Sequence, residues 1–303
     1  MKKFIINVVV FFLLLSVVDG FAGIVFSYLI ENTRGGDNGR NNYICNEANE
    51  DILVFGSSRA FHHYNPLILS DSLGLSCYNC GQDANGIILS YARYQLICQR
   101  NQPKMLIYDV NPDFDLLEGD DNRKYLGWLK AYYDKKGIHE LFNSVDDIER
   151  YKMISQMYRY NSRFVQIISD YIHPLQSNGI MGFRPINKEM DTMRISKKTR
   201  PKRYTVDSLK VSFIEKFIDD SSRKNTKVIF CVSPNWYGMD TLSFKSIRDI
   251  CLVHQIPFID FSNNPKYVHH NVFFKDPTHL NAKGADEFTR DFIVELKKRG
   301  IVN

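Results

Sequence analysis

A serine hydroxyl becomes a nucleophile only with a base in reach, a carboxylate to orient that base and donors for the oxyanion. Residues of those types stand near the two ends of this 303-residue chain. Near the front, Asp51-Ile52-Leu53-Val54-Phe55-Gly56-Ser57-Ser58-Arg59-Ala60 places Ser58 where a short apolar run gives way to residues able to open a helix. The four apolar residues read as a strand buried on both faces. The turn after it would hold a hydroxyl off the sheet edge, beside N–H groups that favour developing negative charge. Near the back, Asp276-Pro277-Thr278-His279 precedes an amphipathic helix that begins at Ala282. A carboxylate three residues before a histidine, in a loop held by proline, takes the Nδ1 proton and leaves Nε2 as the base. A Gly-Ser-Ser turn also occurs in α/β proteins without chemistry, so its pairing with Asp276 and His279 carries the reading.

The elements that must position these groups alternate. Apolar runs place strands near 51–56, 75–80, 104–110, 227–232 and 257–261, and helices near 66–73, 85–100, 207–221, 241–254 and 282–299. Such alternation predicts an α/β parallel sheet with helices on both faces. Ligands of such sheets bind beyond the carboxyl ends of the strands, where Ser58, Gly81 and Asn111 all fall.

In these residues the chain resembles the SGNH (GDSL-like) hydrolases, α/β esterases and acyltransferases with four short sequence blocks. Gly56-Ser57-Ser58 matches the first block and selects Ser58 over Ser57 as nucleophile; Asp276 and His279 match the last. Asn79-Cys80-Gly81 fits the second block, which implies Gly81 as an oxyanion donor, and Asp109-Val110-Asn111 fits the third, which implies Asn111 in the same role. The resemblance implies a three-layer α/β/α, flavodoxin-like fold. It also implies a triad of Ser58, His279 and Asp276, an oxyanion hole of Ser58, Gly81 and Asn111, and no cofactor or metal. It departs from the family pattern in two places: Gly-Ser-Ser stands for Gly-Asp-Ser, and Asp109-Val110-Asn111-Pro112 for Gly-x-Asn-Asp. Neither change removes a group that the mechanism needs. The match covers 51–111 and 206–300.

The flanking and central segments carry the domain organisation. Met1-Lys2-Lys3 precedes an uncharged run from Phe4 to Val18, then Asp19-Gly20, then a second apolar run to Ile30. A spanning helix needs about 20 residues, so residues 1–30 read as an uncleaved anchor that includes Asp19, with the lysines holding the N-terminus in the cytoplasm. The rival is a cleaved signal peptide, against which stand the length of the apolar run and the want of a clean small-x-small site. Asp19 would then sit near the outer interface or face a partner helix. Residues 31–50 read as a polar tether to a catalytic domain of 51–303 outside the cytoplasm. Residues 112–205 break the alternation and read as a helical insertion, either a lid or substrate wall or a purely structural addition. Near its end Arg194, Lys197, Lys198, Arg200, Lys202 and Arg203 form a basic run, either a solvated loop or a contact for anionic glycans or lipid headgroups.

The formal charge of +5 is mild, and no nucleic-acid module pattern is present. Cys77 and Cys80 form a Cys-x-x-Cys without a second pair, and together with Cys231 they read as buried strand thiols rather than as metal or redox groups. His62, His63, His269 and His270 read as solvated loop histidines. The expected function is a membrane-anchored esterase acting on acyl esters, acetyl among them, of envelope or extracellular glycans or lipids. Two alternatives stay open: an O-acyltransferase working on envelope polysaccharide beside a membrane acyl-donor protein, and a catalytically silent envelope protein.

Overall fold

The computed structural model describes residues 1–175, 179–191 and 204–302; the basic run from Arg194 to Arg203 lies outside the described residues. The chain opens with α1 (Lys2–Asn32) and α2 (Gly36–Asn46). Then come β1 (Ile52–Gly56), α3 (Ser58–His63), α4 (Pro66–Leu73), β2 (Cys77–Asn79), α5 (Ile87–Ile97), β3 (Met105–Asp109) and α6 (Pro112–Asp115). The central stretch holds α7 (Ile138–Val145), α8 (Glu149–Lys152), α9 (Gln156–Tyr160) and α10 (Phe164–Ile172). After it come α11 (Ser208–Arg223), β4 (Lys227–Val232), α12 (Lys245–Val253), β5 (Phe258–Asp260), β6 (Phe274–Asp276), β7 (His279–Leu280) and α13 (Ala282–Lys298). The chain divides into two compact units, one of residues 1–47 with 126–178 and one of 48–125 with 179–303.

In the second unit β1 to β5 form a parallel sheet in the order β2-β1-β3-β4-β5, and β6 pairs with β7 in a separate antiparallel ribbon. Val54 lies opposite Ile107 on one side and Asn79 on the other. Side chains alternate across a strand, so Ile52 and Val54 face one layer while Leu53 and Phe55 face the other. On the first face Ile52, Val54, Ile107 and Ile229 pack with Leu69 of α4 and with Phe288 and Phe292 of α13. On the second, Phe217 of α11 meets Phe55 at 5.9 Å, Tyr108 at 5.7 Å and Tyr94 of α5 at 5.1 Å between ring centroids. Each such large apolar side chain stabilises the fold by roughly 1.5–3 kcal/mol when fully buried. Helices on both faces make this the expected three-layer α/β/α fold, and the five strands lie where the apolar runs placed them.

The first unit departs from expectation at residues 31–50. Instead of a tether these hold α2, whose Asn38, Asn41 and Asn42 are buried. Asp170 of α10 caps that helix, accepting from Asn38 N at 3.0 Å and from Asn38 Nδ2 at 2.8 Å. Asn41 Nδ2 donates to the Trp128 carbonyl at 3.0 Å and Asn42 Nδ2 to the Glu31 carbonyl at 3.1 Å. A polar segment can be buried when every amide finds a distant partner, and those partners are invisible to local composition. Residues 126–175 of the expected insertion belong to this unit, whereas 112–125 and 179–191 belong to the unit that carries the sheet. By length and composition α1 can cross a bilayer. Its one central charge, Asp19, accepts from Ser155 Oγ at 2.8 Å and from the N–H groups of Gln156 and Met157 at 2.7 and 2.9 Å.

Candidate active site

Gly56 ends β1 with φ of +136°, and a Cβ there would come within 2.5 Å of the Asp109 carbonyl oxygen. Glycine therefore permits both the backbone turn and the close approach of β1 to β3. The chain passes directly into α3, whose first residue is Ser58, so the Ser58 N–H has no partner within its helix. Ser57 is fully buried and its Oγ accepts from Asn111 Nδ2 at 3.3 Å. Ser58 Oγ instead lies 2.9 Å from His279 Nε2.

His279 Nδ1 lies 2.9 and 3.0 Å from the two carboxylate oxygens of Asp276. A carboxylate only accepts, so Nδ1 carries the proton and Nε2 accepts from the Ser58 hydroxyl. The β6–β7 ribbon, which places Asp276 opposite His279, holds this pair where a simple loop had been expected. Asp276 Oδ1 also accepts from the N–H groups of Thr278 and His279, each at 3.0 Å, and Lys275 Nζ lies 3.1 Å from Oδ2. Burial pushes the Asp276 carboxyl up, but the His279 hydrogen bond and charge, the Thr278 N–H and Lys275 outweigh it and hold the group far below the usual carboxylate range. These contacts thus favour the ionised form of Asp276.

The neighbouring histidines are structural rather than solvated. His63 is fully buried; its Nε2 accepts from the Leu280 N–H at 3.0 Å, so Nδ1 donates to Ser233 Oγ at 2.8 Å. Burial, then the charges of Arg59, His279 and His62, push its pKa well below the ordinary histidine value. His63 therefore anchors α3 to β7, the two elements that carry Ser58 and His279. His62 places Nδ1 2.7 Å from the Arg184 carbonyl and Nε2 3.1 Å from Asp83, with its ring 5.8 Å from that of His279. Sequence reasoning gave Asp83 and Arg184 no role, since neither stands in a motif. Outside this cluster, His269 packs edge-on to Trp236 at 4.7 Å, and His269 and His270 are exposed.

The expected oxyanion donors are brought to the turn unequally. Gly81 approaches α3 so closely that a Cβ would lie 2.5 Å from Phe61 N. Its N–H, however, donates to Asn79 Oδ1 at 3.0 Å. Asn79 is itself pinned to α3 through Nδ2, which donates to the carbonyls of Ala60 and Tyr64 at 2.8 and 3.0 Å. The structure therefore departs from the open donor expected at Gly81, because the Asn79 side chain engages its N–H, whereas the Ser58 N–H has no partner within its helix and Asn111 Nδ2 spends one of its two hydrogens on Ser57 Oγ. Asn111 caps α6 through its own side-chain oxygen and donates its N–H to Asp115 at 2.7 Å.

Asp115 is fully buried and also accepts from the Tyr108 hydroxyl at 2.7 Å. Burial pushes its carboxyl up to about 7 from an ordinary 3.8, against Tyr108, the Asn111 N–H and Lys210, which lower it. Folding therefore favours the protonated form, and this contribution to stability is complete below about pH 4 and lost as pH rises through about 7. Urea unfolding of the wild-type chain should show a decline of up to about 4 kcal/mol from this group across that window. Asp115→Asn should lack that component, which the difference between the two stability–pH curves measures directly.

Among the described residues no group of three His, Cys, Asp or Glu side chains is arranged to hold a metal ion. No protein-family model and no curated protein matches the chain. Solved structures with a similar course of the chain include a protein of the G-D-S-L family from Desulfitobacterium hafniense DCB-2 described as lipolytic, at 10% identity and a TM-score of 0.38. That similarity covers 79% of this chain and 96% of that one. The acetyl xylan esterase AlAXEase aligns at 12% identity and 0.39, covering 81% and 99%. A protein from Bacteroides fragilis NCTC 9343 described as an acylhydrolase aligns at 8% and 0.41, covering 84% and 94%. These are likenesses of fold and add nothing to the site, whose chemistry rests on this chain's own geometry. Its sheet order makes the chain an α/β/α protein, and the hydrogen-bonded line from Ser58 through His279 to Asp276 brings together the groups that its sequence resemblance to the SGNH (GDSL-like) hydrolases implies.

Proposed function

We propose that this chain is a membrane-anchored serine esterase that hydrolyses acyl esters, acetyl among them, of cell-envelope or extracellular glycans or lipids, with its sheet-bearing unit outside the cytoplasm. The observation that carries this reading is the unbroken hydrogen-bonded line from Ser58 Oγ to Asp276. Ser58 Oγ attacks the ester carbonyl as His279 Nε2 takes its proton, and Asp276 stabilises the imidazolium that results. The Ser58 N–H and Asn111 Nδ2 receive the oxyanion. Collapse of the tetrahedral intermediate breaks the ester C–O bond, and His279 returns the proton to the leaving alcohol. Water, deprotonated by the same nitrogen, then attacks the acyl-Ser58 ester and frees the acid.

Asn111→Ala should lower kcat by about 10²- to 10³-fold with a smaller change in KM, because the amide acts mainly on the developing charge. Steady-state hydrolysis of a soluble aryl acetate measures this. A second reading, O-acyl transfer to an envelope polysaccharide, is favoured by α1, which would keep the site close to a membrane acyl-donor protein. The intact geometry of Ser58, His279 and Asp276 counts against a silent protein. Incubating the full-length chain with an acyl donor and a polysaccharide acceptor separates the two active readings. Free acid in excess of acylated glycan supports the esterase, and the reverse ratio replaces it with the transferase.

A further inference from the structure

Resting on the anchored reading above, we infer that α10 and the turn leading into α9 form a second, interfacial membrane element seated in the outer leaflet beside α1. Val165, Ile168 and Ile172 of α10 are exposed at helical spacing, and Leu175 continues the row beyond the helix end; Val165 is 82% and Leu175 98% exposed. The row contains no charged residue. The other side of α10 is already committed: Phe164 packs on Phe26 of α1 at 4.8 Å, Tyr171 on Tyr28 at 6.4 Å, and Ile167 and Asp170 are buried. A short helix that is apolar on both its inner and its outer side requires an apolar cover.

What adjoins the row is α1, whose outward residues Phe21, Ile24 and Tyr28 are exposed and apolar or aromatic as well. Both packed helices therefore carry exposed apolar side chains, and lipid that surrounds α1 extends over the exposed row of α10. Depth is consistent with this. A hydrocarbon core takes about 20 residues of helix, which from Phe4 reaches about Gly23. Asp19 then falls just inside the outer boundary, where an open carboxylate is costly, and both its oxygens are closed off by Ser155, Gln156 and Met157. Ile154, next to that cap, is 74% exposed. Phe26 and Tyr28 fall at headgroup level, the depth at which tyrosine rings collect and short amphipathic helices lie.

The test is site-directed spin labelling of the full-length chain in nanodiscs of phosphatidylcholine and phosphatidylglycerol. Ile154→Cys and Ile168→Cys are the reporters; Val10→Cys marks the anchor, Lys135→Cys marks an exposed polar position, and unsubstituted protein gives the background. Oxygen collision should exceed that of a water-soluble nickel chelate several-fold at 154 and 168, as at 10, with the order reversed at 135. Water-like values at 154 and 168 with lipid-like values at 10 would overturn the inference and leave the anchor standing. Water-like values at 10 as well would remove the anchored reading and this inference together. Shielding of 154 and 168 from both reagents would mean that protein, from a second copy or this chain's own segment, covers the face, which also overturns it.

Discussion

Ser58→Ala and His279→Ala are each expected to lower kcat for ester hydrolysis by about 10⁴- to 10⁶-fold, with KM little changed. The two groups act in one proton transfer across 2.9 Å, so losing either one leaves the other without a function. The double variant should therefore be no worse than either single variant by more than a few fold. Equal losses in the three proteins would mark a unit, whereas multiplying losses would mean that Ser58 and His279 act in separate steps. Single-turnover kinetics with an activated acyl ester resolves the acylation step in which the loss must appear.

A comparable effect on stability is expected one residue beyond the nucleophile. Arg59 is buried, with Nε donating to Ser233 Oγ at 3.1 Å and lying 3.6 Å from Asp109 Oδ1. Asp109 is fully buried and accepts from the Tyr64 hydroxyl at 2.8 Å and from the Ser233 N–H at 3.2 Å. Burial pushes its carboxyl up, and Arg59, Ser233 and Tyr64 act in the opposite direction. Removing one member of such a pair leaves an uncompensated buried charge, so Asp109→Ala should destabilise the sheet-bearing unit by about 3–5 kcal/mol. Asp109→Leu combined with Arg59→Met should recover most of that loss, because the cost lies in the orphaned charge rather than in the missing attraction. Urea unfolding at neutral pH distinguishes the outcomes; a loss under about 1 kcal/mol in Asp109→Ala would show that water or neighbouring groups already satisfy Arg59.

The sheet was legible because its signal is local: Ile52 to Phe55 and Met105 to Asp109 are apolar runs bounded by turn residues, and burial on both faces demands that composition. Ser58, Asp276 and His279 were legible for the same reason, since they stand at the end of such a run or in a loop before an amphipathic helix, whereas Asn111 was marked only by the family resemblance. What escaped depends on partners far away in sequence. The amides of α2 read as solvated until Asp170 and the Trp128 carbonyl are placed against them. The Gly81 N–H reads as open until the Asn79 side chain folds back over it. His62 and His63 read as loop residues because α3 is a single short helix whose apolar period is hidden by functional side chains.

The central claim, an activated Ser58, is met most directly by reacting the full-length protein with a fluorophosphonate serine probe, alongside Ser58→Ala and His279→Ala. The expected result is covalent labelling of the wild-type chain at Ser58, located by peptide mass analysis, and its loss in both variants. Labelling that persists in Ser58→Ala, or a folded wild-type protein that does not label, would contradict it.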